Sequence, residues 1–168
     1  MPAPRSSTPA TRARPFAALV VAAAAAGLSG CGQAQEVRDA LGYTTSVNRI
    51  IAGLDRDQRR LNEESRDFRR PAEVASGLRR LAGDVDRVRA DLGKVRPPEV
   101  VARLHRDLIG SYGRLSAPIQ RFQLLVRKGR RPAIVAGQQA YRRENDAIQR
   151  TIDATLVRIN AELARLSD

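Results

Sequence analysis

Residues 74–95 read VASGLRRLAGDVDRVRADLGKV. Within them Val74, Leu78, Leu81, Val85, Val88, Leu92 and Val95 alternate spacings of four and three without a gap. That period is one apolar stripe along an α-helix. The intervening positions hold Arg79, Arg80, Asp84, Asp86, Arg87, Arg89 and Asp91, which form a charged outer face. Arg96-Pro97-Pro98 stops the pattern, since the residue before proline is pushed out of the helical region. A helix with one apolar stripe needs other helices to cover it.

The same pattern recurs on both sides. Upstream, Val47, Leu54, Leu61 and Phe68 lie seven apart, with Ile50 and Ile51 filling the early intermediate positions. Gln58 and Ser65 take those positions later. Thr44 or Thr45 is placed to cap this helix by accepting a backbone N–H bond, and Arg69-Arg70-Pro71 closes it. Downstream, Pro98 and Glu99 suit the first turn of a third helix. Its stripe is Val101, His105, Leu108, Tyr112, Leu115, Ile119, Phe122 and Val126, with Leu104 and Leu125 beside it. Pro118 falls inside, and an interior proline costs about 3 kcal/mol, so a kink or break is expected near Ser116 to Pro118. After the turn at residues 127–132, a fourth helix has the stripe Ile134, Gln138, Tyr141, Asn145, Ile148, Ile152, Leu156, Ile159, Leu163 and Leu166. No stretch alternates with the period of a strand. The expected class is all-α, an antiparallel up-down four-helix bundle with coiled-coil-like seams, because short turns favour antiparallel neighbours. The rival is a shorter bundle that completes its core by dimerising, so monomer and dimer both stay open.

The first thirty residues have a different layout. Arg5, Arg12 and Arg14 form a positive region with no acid, and Phe16 to Gly27 is an apolar run of twelve residues. That is short of the roughly 20 needed to cross a bilayer and fits a secretory signal. Leu28-Ser29-Gly30-Cys31 follows, with the only cysteine of the chain. These four residues resemble the lipobox of bacterial lipoproteins at every position. The resemblance implies cleavage before Cys31, a diacylglyceryl group on its thiol and acylation of the new amino terminus. Two acyl chains anchor stably where one binds reversibly. The expected organisation is therefore a signal peptide over 1–30, a tether over 31–43 with one or two helical turns ended by Gly42, and the bundle over 44–168. The expected location is extracytoplasmic, held to the cell membrane by lipid. Gly32 is not an acidic retention signal, which leans toward the outer membrane in a cell that has one. With its one thiol lipidated, the chain forms no disulfide despite an oxidising compartment.

The mature part, with Pro97-Pro98 seven residues before His105, is also similar to helical-bundle lipoproteins of no known activity. The murein lipoprotein type is a poor match. Its pattern implies a trimeric coiled coil ending in a wall-linked lysine, whereas this chain ends Leu166-Ser167-Asp168.

Charge bounds the partners. The chain has 30 basic and 18 acidic residues and a pI near 11.4. Three of the basic residues precede Cys31, leaving a net +9 afterwards. Only Lys94 and Lys128 are lysines. The arginine and alanine bias reads as base composition of the genome rather than selection for nucleic acid. Export argues against nucleic acid, as does the scarcity of aromatics for base stacking. The basic residues gather at two turns, Arg66, Arg69, Arg70 and Arg127, Lys128, Arg130, Arg131. In an up-down bundle anchored at Cys31 both turns lie at the distal end, roughly 40 Å out. That tip is the candidate contact for an anionic envelope polymer or an acidic protein, against the plainer reading of a solvated arginine-rich turn.

No catalytic set is evident. Serines and threonines sit mostly at caps and turns, there is no phosphate loop, and carboxylates lie beside arginines as on an ion-paired face. His105, the only histidine, reads as a ligand or pH switch, or more simply as a partly buried or boundary histidine satisfied by one hydrogen bond. A bundle di-iron site needs Glu-x-x-His, and position 102 is alanine, so no metal and no cofactor beyond the covalent lipid are expected. Gln138 and Asn145 read as register-setting core polars, or as the lining of a small-ligand cavity with Gln58 and Ser65 opposite. The expected function is a lipid-anchored, non-enzymatic structural or interaction module of the envelope; the alternative is a carrier or sensor of a small ligand between helices.

Overall fold

The computed structural model describes residues 31–64 and 71–166. The signal-like segment, the lipobox residues Leu28, Ser29 and Gly30, and the basic pair Arg69 and Arg70 lie outside the described residues. The described residues form four α-helices: α1 (Cys31–Glu64), α2 (Pro71–Leu92), α3 (Ala102–Lys128) and α4 (Arg131–Ala164). One 3₁₀ turn, Glu99–Val101, leads into α3. No strand occurs among the described residues. The chain is an all-α antiparallel helical bundle in which the closest pairs are the sequential ones, α1 with α2, α2 with α3 and α3 with α4.

The stripes turn inward together. Val74, Leu78, Leu81, Val85, Val88 and Leu92 of α2 are all buried, as are Val101, Leu108, Tyr112, Leu115, Ile119, Phe122 and Val126 on the α3 side. Ile152, Leu156, Ile159 and Leu163 of α4 are fully enclosed. Each such side chain stabilises by about 1.5–3 kcal/mol relative to its exposed state, which is what holds these amphipathic helices together. Cross-links give the register. Ser116 donates to Asp86 at 2.9 Å between α3 and α2. Phe122 stacks on Tyr141, centroids 5.3 Å apart, and Arg121 pairs with Glu144, between α3 and α4.

Two expectations about helix limits are corrected. The first concerns residues 31–43. Helix α1 runs from Cys31, the first described residue, through Gly42 without a break. Ala40 and Tyr43 are buried in the core at 1% and 3% exposure. Thr44 is no cap; its hydroxyl donates to the Ala40 carbonyl at 2.8 Å, within the helix. The reason is energetic. An interior glycine costs about 1 kcal/mol against alanine, less than burial of Tyr43 contributes, and Ala40, Tyr43 and Val47 continue the seam backwards. The second concerns the break expected as one outcome at Pro118: none occurs, since Pro118 is buried inside a continuous α3. Leu115, Ile119 and Phe122 pack firmly on either side of it, and the Ser116–Asp86 bond fastens that turn to α2.

The α3–α4 turn depends on Gly129. Its N–H donates to the Leu125 carbonyl at 2.6 Å. A Cβ at this position would collide with that same carbonyl oxygen, which is backbone and has no room to yield. Its φ of −82° is open to any residue, so space alone demands glycine. Gly129→Ala is expected to lower unfolding free energy by about 1–3 kcal/mol, read by urea denaturation. An unchanged midpoint would mean the turn rearranges freely.

Candidate functional site

The interior holds only four buried polar side chains among the described residues: Thr44, His105, Ser111 and Thr155. Three of them bond the carbonyl one turn back on their own helix, Thr44 to Ala40, Ser111 to Asp107 and Thr155 to Thr151, each at 2.8 Å. They are therefore satisfied locally and point no group at a ligand.

His105 is the exception. It joins three helices. Its Nε2 lies 3.0 Å from the Leu92 carbonyl at the end of α2, and its Nδ1 lies 3.1 Å from the Tyr43 hydroxyl on α1. A carbonyl only accepts, so Nε2 carries the proton. Nδ1 is then bare and accepts from Tyr43 O–H. The rings meet edge to face, 5.5 Å apart at 71°. Burial lowers the His105 pKa, opposed by the bond to Leu92. Burial raises that of Tyr43. Both groups are thus held neutral and hydrogen-bonded. The expected boundary histidine with one bond is instead a buried one with two. Tyr43 was not legible as its partner because Gly42 marks it as tether; its place four residues before Val47 on the seam was the available signal.

Gln138 and Asn145 lie on α4 half-buried rather than enclosed. Neither lines the two surface clefts described below, and Gln58, also half-buried, makes no hydrogen bond with either. Ser65 lies outside the described residues. Between Gln138 and Asn145 sits Tyr141, whose pKa is pushed up to about 12 by burial, with Asp146 adding to it.

One cleft, of about 460 Å³, opens on the outside of the α2–α3 pair and is lined by Arg89, Arg106, Ile109, Gly110 and Gly113. The other, about 130 Å³, lies between α1 and α2 and is lined by residues including Asp57, Arg60, Arg80 and Asp84. The second mixes both signs of charge. The charged residues of the first are both arginines.

Of the two basic turns, only the one between α3 and α4 lies among the described residues. Arg127, Lys128, Arg130 and Arg131 are exposed at the end of the bundle where α1 also ends and α2 begins. The charge there continues along a helix that sequence reading assigned only an apolar stripe. Helix α3 has six basic residues, Arg103, Arg106, Arg114, Arg121, Arg127 and Lys128, and one acid, Asp107. Helix α2 has four of each.

No cluster of three or more metal-ligating side chains occurs among the described residues. No described helix is long and apolar enough to cross a membrane. Compared with known proteins, the chain matches no family model, no curated protein and no solved structure.

Proposed function

We propose that the protein is a lipid-anchored, non-enzymatic module of the cell envelope that works by contact rather than by chemistry. The observation that carries this reading is Leu28-Ser29-Gly30-Cys31 placed directly after a twelve-residue apolar run. Two features of the fold support it. Thr44, His105, Ser111 and Thr155, the buried polar side chains of the described residues, are all engaged by internal hydrogen bonds, so none of them is turned toward a ligand. The excess positive charge lies outside, on surfaces open to an anionic envelope polymer or an acidic protein.

The anchor has a direct test. The full chain and its Cys31→Ser variant are expressed in a lipoprotein-processing bacterium and partitioned between detergent and water. The wild type should enter the detergent phase and show by mass the loss of residues 1–30 and the addition of acylglycerol. Cys31→Ser should lack the lipid and keep its signal. A wild-type chain without added lipid mass would overturn the reading.

A further inference from the structure

The net charge is unevenly spread over the fold. Helices α1, α2 and α4 are each within one charge of neutral, while α3 carries +5. All six cations of α3 are exposed. They run from Arg103 to Lys128, about 38 Å of helix at 1.5 Å per residue. Only two are engaged: Arg121 pairs with Glu144, and Arg114 donates to the Ser111 hydroxyl at 3.0 Å. Arg103, Arg106, Arg127 and Lys128 have no carboxylate or hydrogen-bond partner among the described residues, and neither has Arg89 on the facing edge of α2. Of the nearby acids, Asp86 accepts from Ser116 and Asp91 from Lys94, which leaves Asp107 as the one carboxylate set against the six cations of α3. Like charges spaced along a helix face destabilise it, so this row costs stability when nothing neutralises it.

The shape of the surface matches the charge. Beside Arg106 the outer face of α3 drops to Gly110 and Gly113, where the open cleft of about 460 Å³ lies. Nothing stands within 4 Å of where a Cβ on Gly110 would be, and the Arg89 side chain lies over Gly113 at 3.5–3.9 Å. The result is a trough floored by backbone and flanked by two guanidinium groups. Guanidinium is a planar fork that pairs two-pronged with phosphate oxygens.

We propose that the outer face of α3, with Arg89 of α2, is a docking surface for a linear anionic polymer of the envelope with a phosphate-linked backbone, seated in the Gly110–Gly113 trough and running along Arg103 to Lys128. This deepens the envelope reading above and rests on it for the polymer's location. A thin unbranched chain fits a trough that a folded acidic protein does not enter. Nucleic acid also has a phosphate-linked backbone but finds no base platform among the described residues: Tyr43, Tyr112 and Phe122 are buried and Tyr141 is stacked on Phe122. The surface is thus basic along its length, and neutralising only its tip leaves most of the row repelling itself.

The test uses residues 31–168 carrying Cys31→Ser, which contain every described residue and need no lipid. The probe is long-chain linear polyphosphate, compared with tripolyphosphate at equal phosphate and with single-stranded DNA of equal charge. Long-chain polyphosphate should bind about tenfold or more tighter per phosphate than tripolyphosphate, weaken steeply with salt, and raise the melting temperature. Arg89→Gln/Arg103→Gln/Arg106→Gln should lose about tenfold in affinity, while a charge-matched control on α4, Arg142→Gln/Arg143→Gln/Arg150→Gln, changes it little. Equal loss in both variants would reduce the effect to net charge and overturn the proposal. So would tripolyphosphate binding as well as the long chain, DNA binding more tightly than polyphosphate, or binding lost only on replacing Arg127, Lys128, Arg130 and Arg131. Circular dichroism confirms that each variant, altered only at exposed positions, is folded. Lipidation is scored separately, so failure of this surface and failure of the anchor are told apart.

Discussion

His105→Ala is expected to lower the unfolding free energy by about 3 kcal/mol or more, among the largest effects of any single substitution in the bundle. The imidazole is 4% exposed, and its removal leaves a cavity between three helices. It also strips the Leu92 carbonyl of its Nε2–H donor and the Tyr43 hydroxyl of its acceptor. Each buried polar group left without a partner costs about 1–3 kcal/mol, beyond the cavity itself. Tyr43→Phe removes only the hydroxyl and should cost about 1 kcal/mol. Urea denaturation of residues 31–168 separates the two. Equal, small losses would mean that α1 is held to the α2–α3 hairpin by apolar contact alone.

The same histidine gives the bundle a pH dependence of fixed sign. Its folded pKa lies below the ordinary 6.5 because burial disfavours the charged ring. The unfolded chain therefore binds the proton more readily. The stability contributed by neutral His105 is complete above pH 6.5. It falls as the pH drops through 6.5 toward the lowered folded value, by at most about 1.4 kcal/mol per pH unit. Melting temperature measured from pH 7.5 to 5.0 should decline in the wild type and decline less in His105→Ala. A wild-type profile no steeper than that of the variant would show that the ring is already solvated or charged in the fold.

Leu156→Ala should also cost about 3 kcal/mol, whereas Ile148→Ala should cost about 1 kcal/mol. The difference follows from how α4 is seated. Ile152, Leu156, Ile159 and Leu163 are completely enclosed, each at 0% exposure. From Val135 to Thr151 no residue is buried; Gln138, Tyr141, Asn145 and Ile148 on that stretch are all half-buried. Truncation leaves a full cavity at Leu156 and an opening to water at Ile148. Backbone amides of residues 136–148 should accordingly exchange with deuterium well before those of 152–163. Uniform protection along α4 would contradict this.

Much of this was readable in the seams. Every member of the α2 stripe from Val74 to Leu92 is buried, and Val95, just past the helix end, still packs on the core from the turn. The α3 stripe is buried from Val101 to Val126, with Leu104 beside it, while Leu125 is left partly exposed. Periodicity reports which side of a helix faces inward, and packing enforces it. What it misjudged were the local stop signals. Gly42 and the Thr44-Thr45 pair look like a boundary because glycine and threonine are weak helix formers, and Pro118 looks like a break. In both places burial of neighbours outweighs a local cost of about 1–3 kcal/mol. The site was legible only in part. The cationic turn could be placed from antiparallel topology alone. The trough could not, because bringing Arg89 over Gly113 depends on the register between α2 and α3, which no single-helix pattern encodes.

The unbroken start of α1 has a mechanical consequence. A helix of 34 residues is about 51 Å long, and its first residue is Cys31. With the lipid we propose on that residue, the point of attachment belongs to the helix itself, and no slack lies between the bilayer and the bundle. The protein then acts as a ruler. Anchored as proposed, it would set a standoff between the membrane and whatever its far end and flank hold, with a pull on either transmitted along one continuous strut.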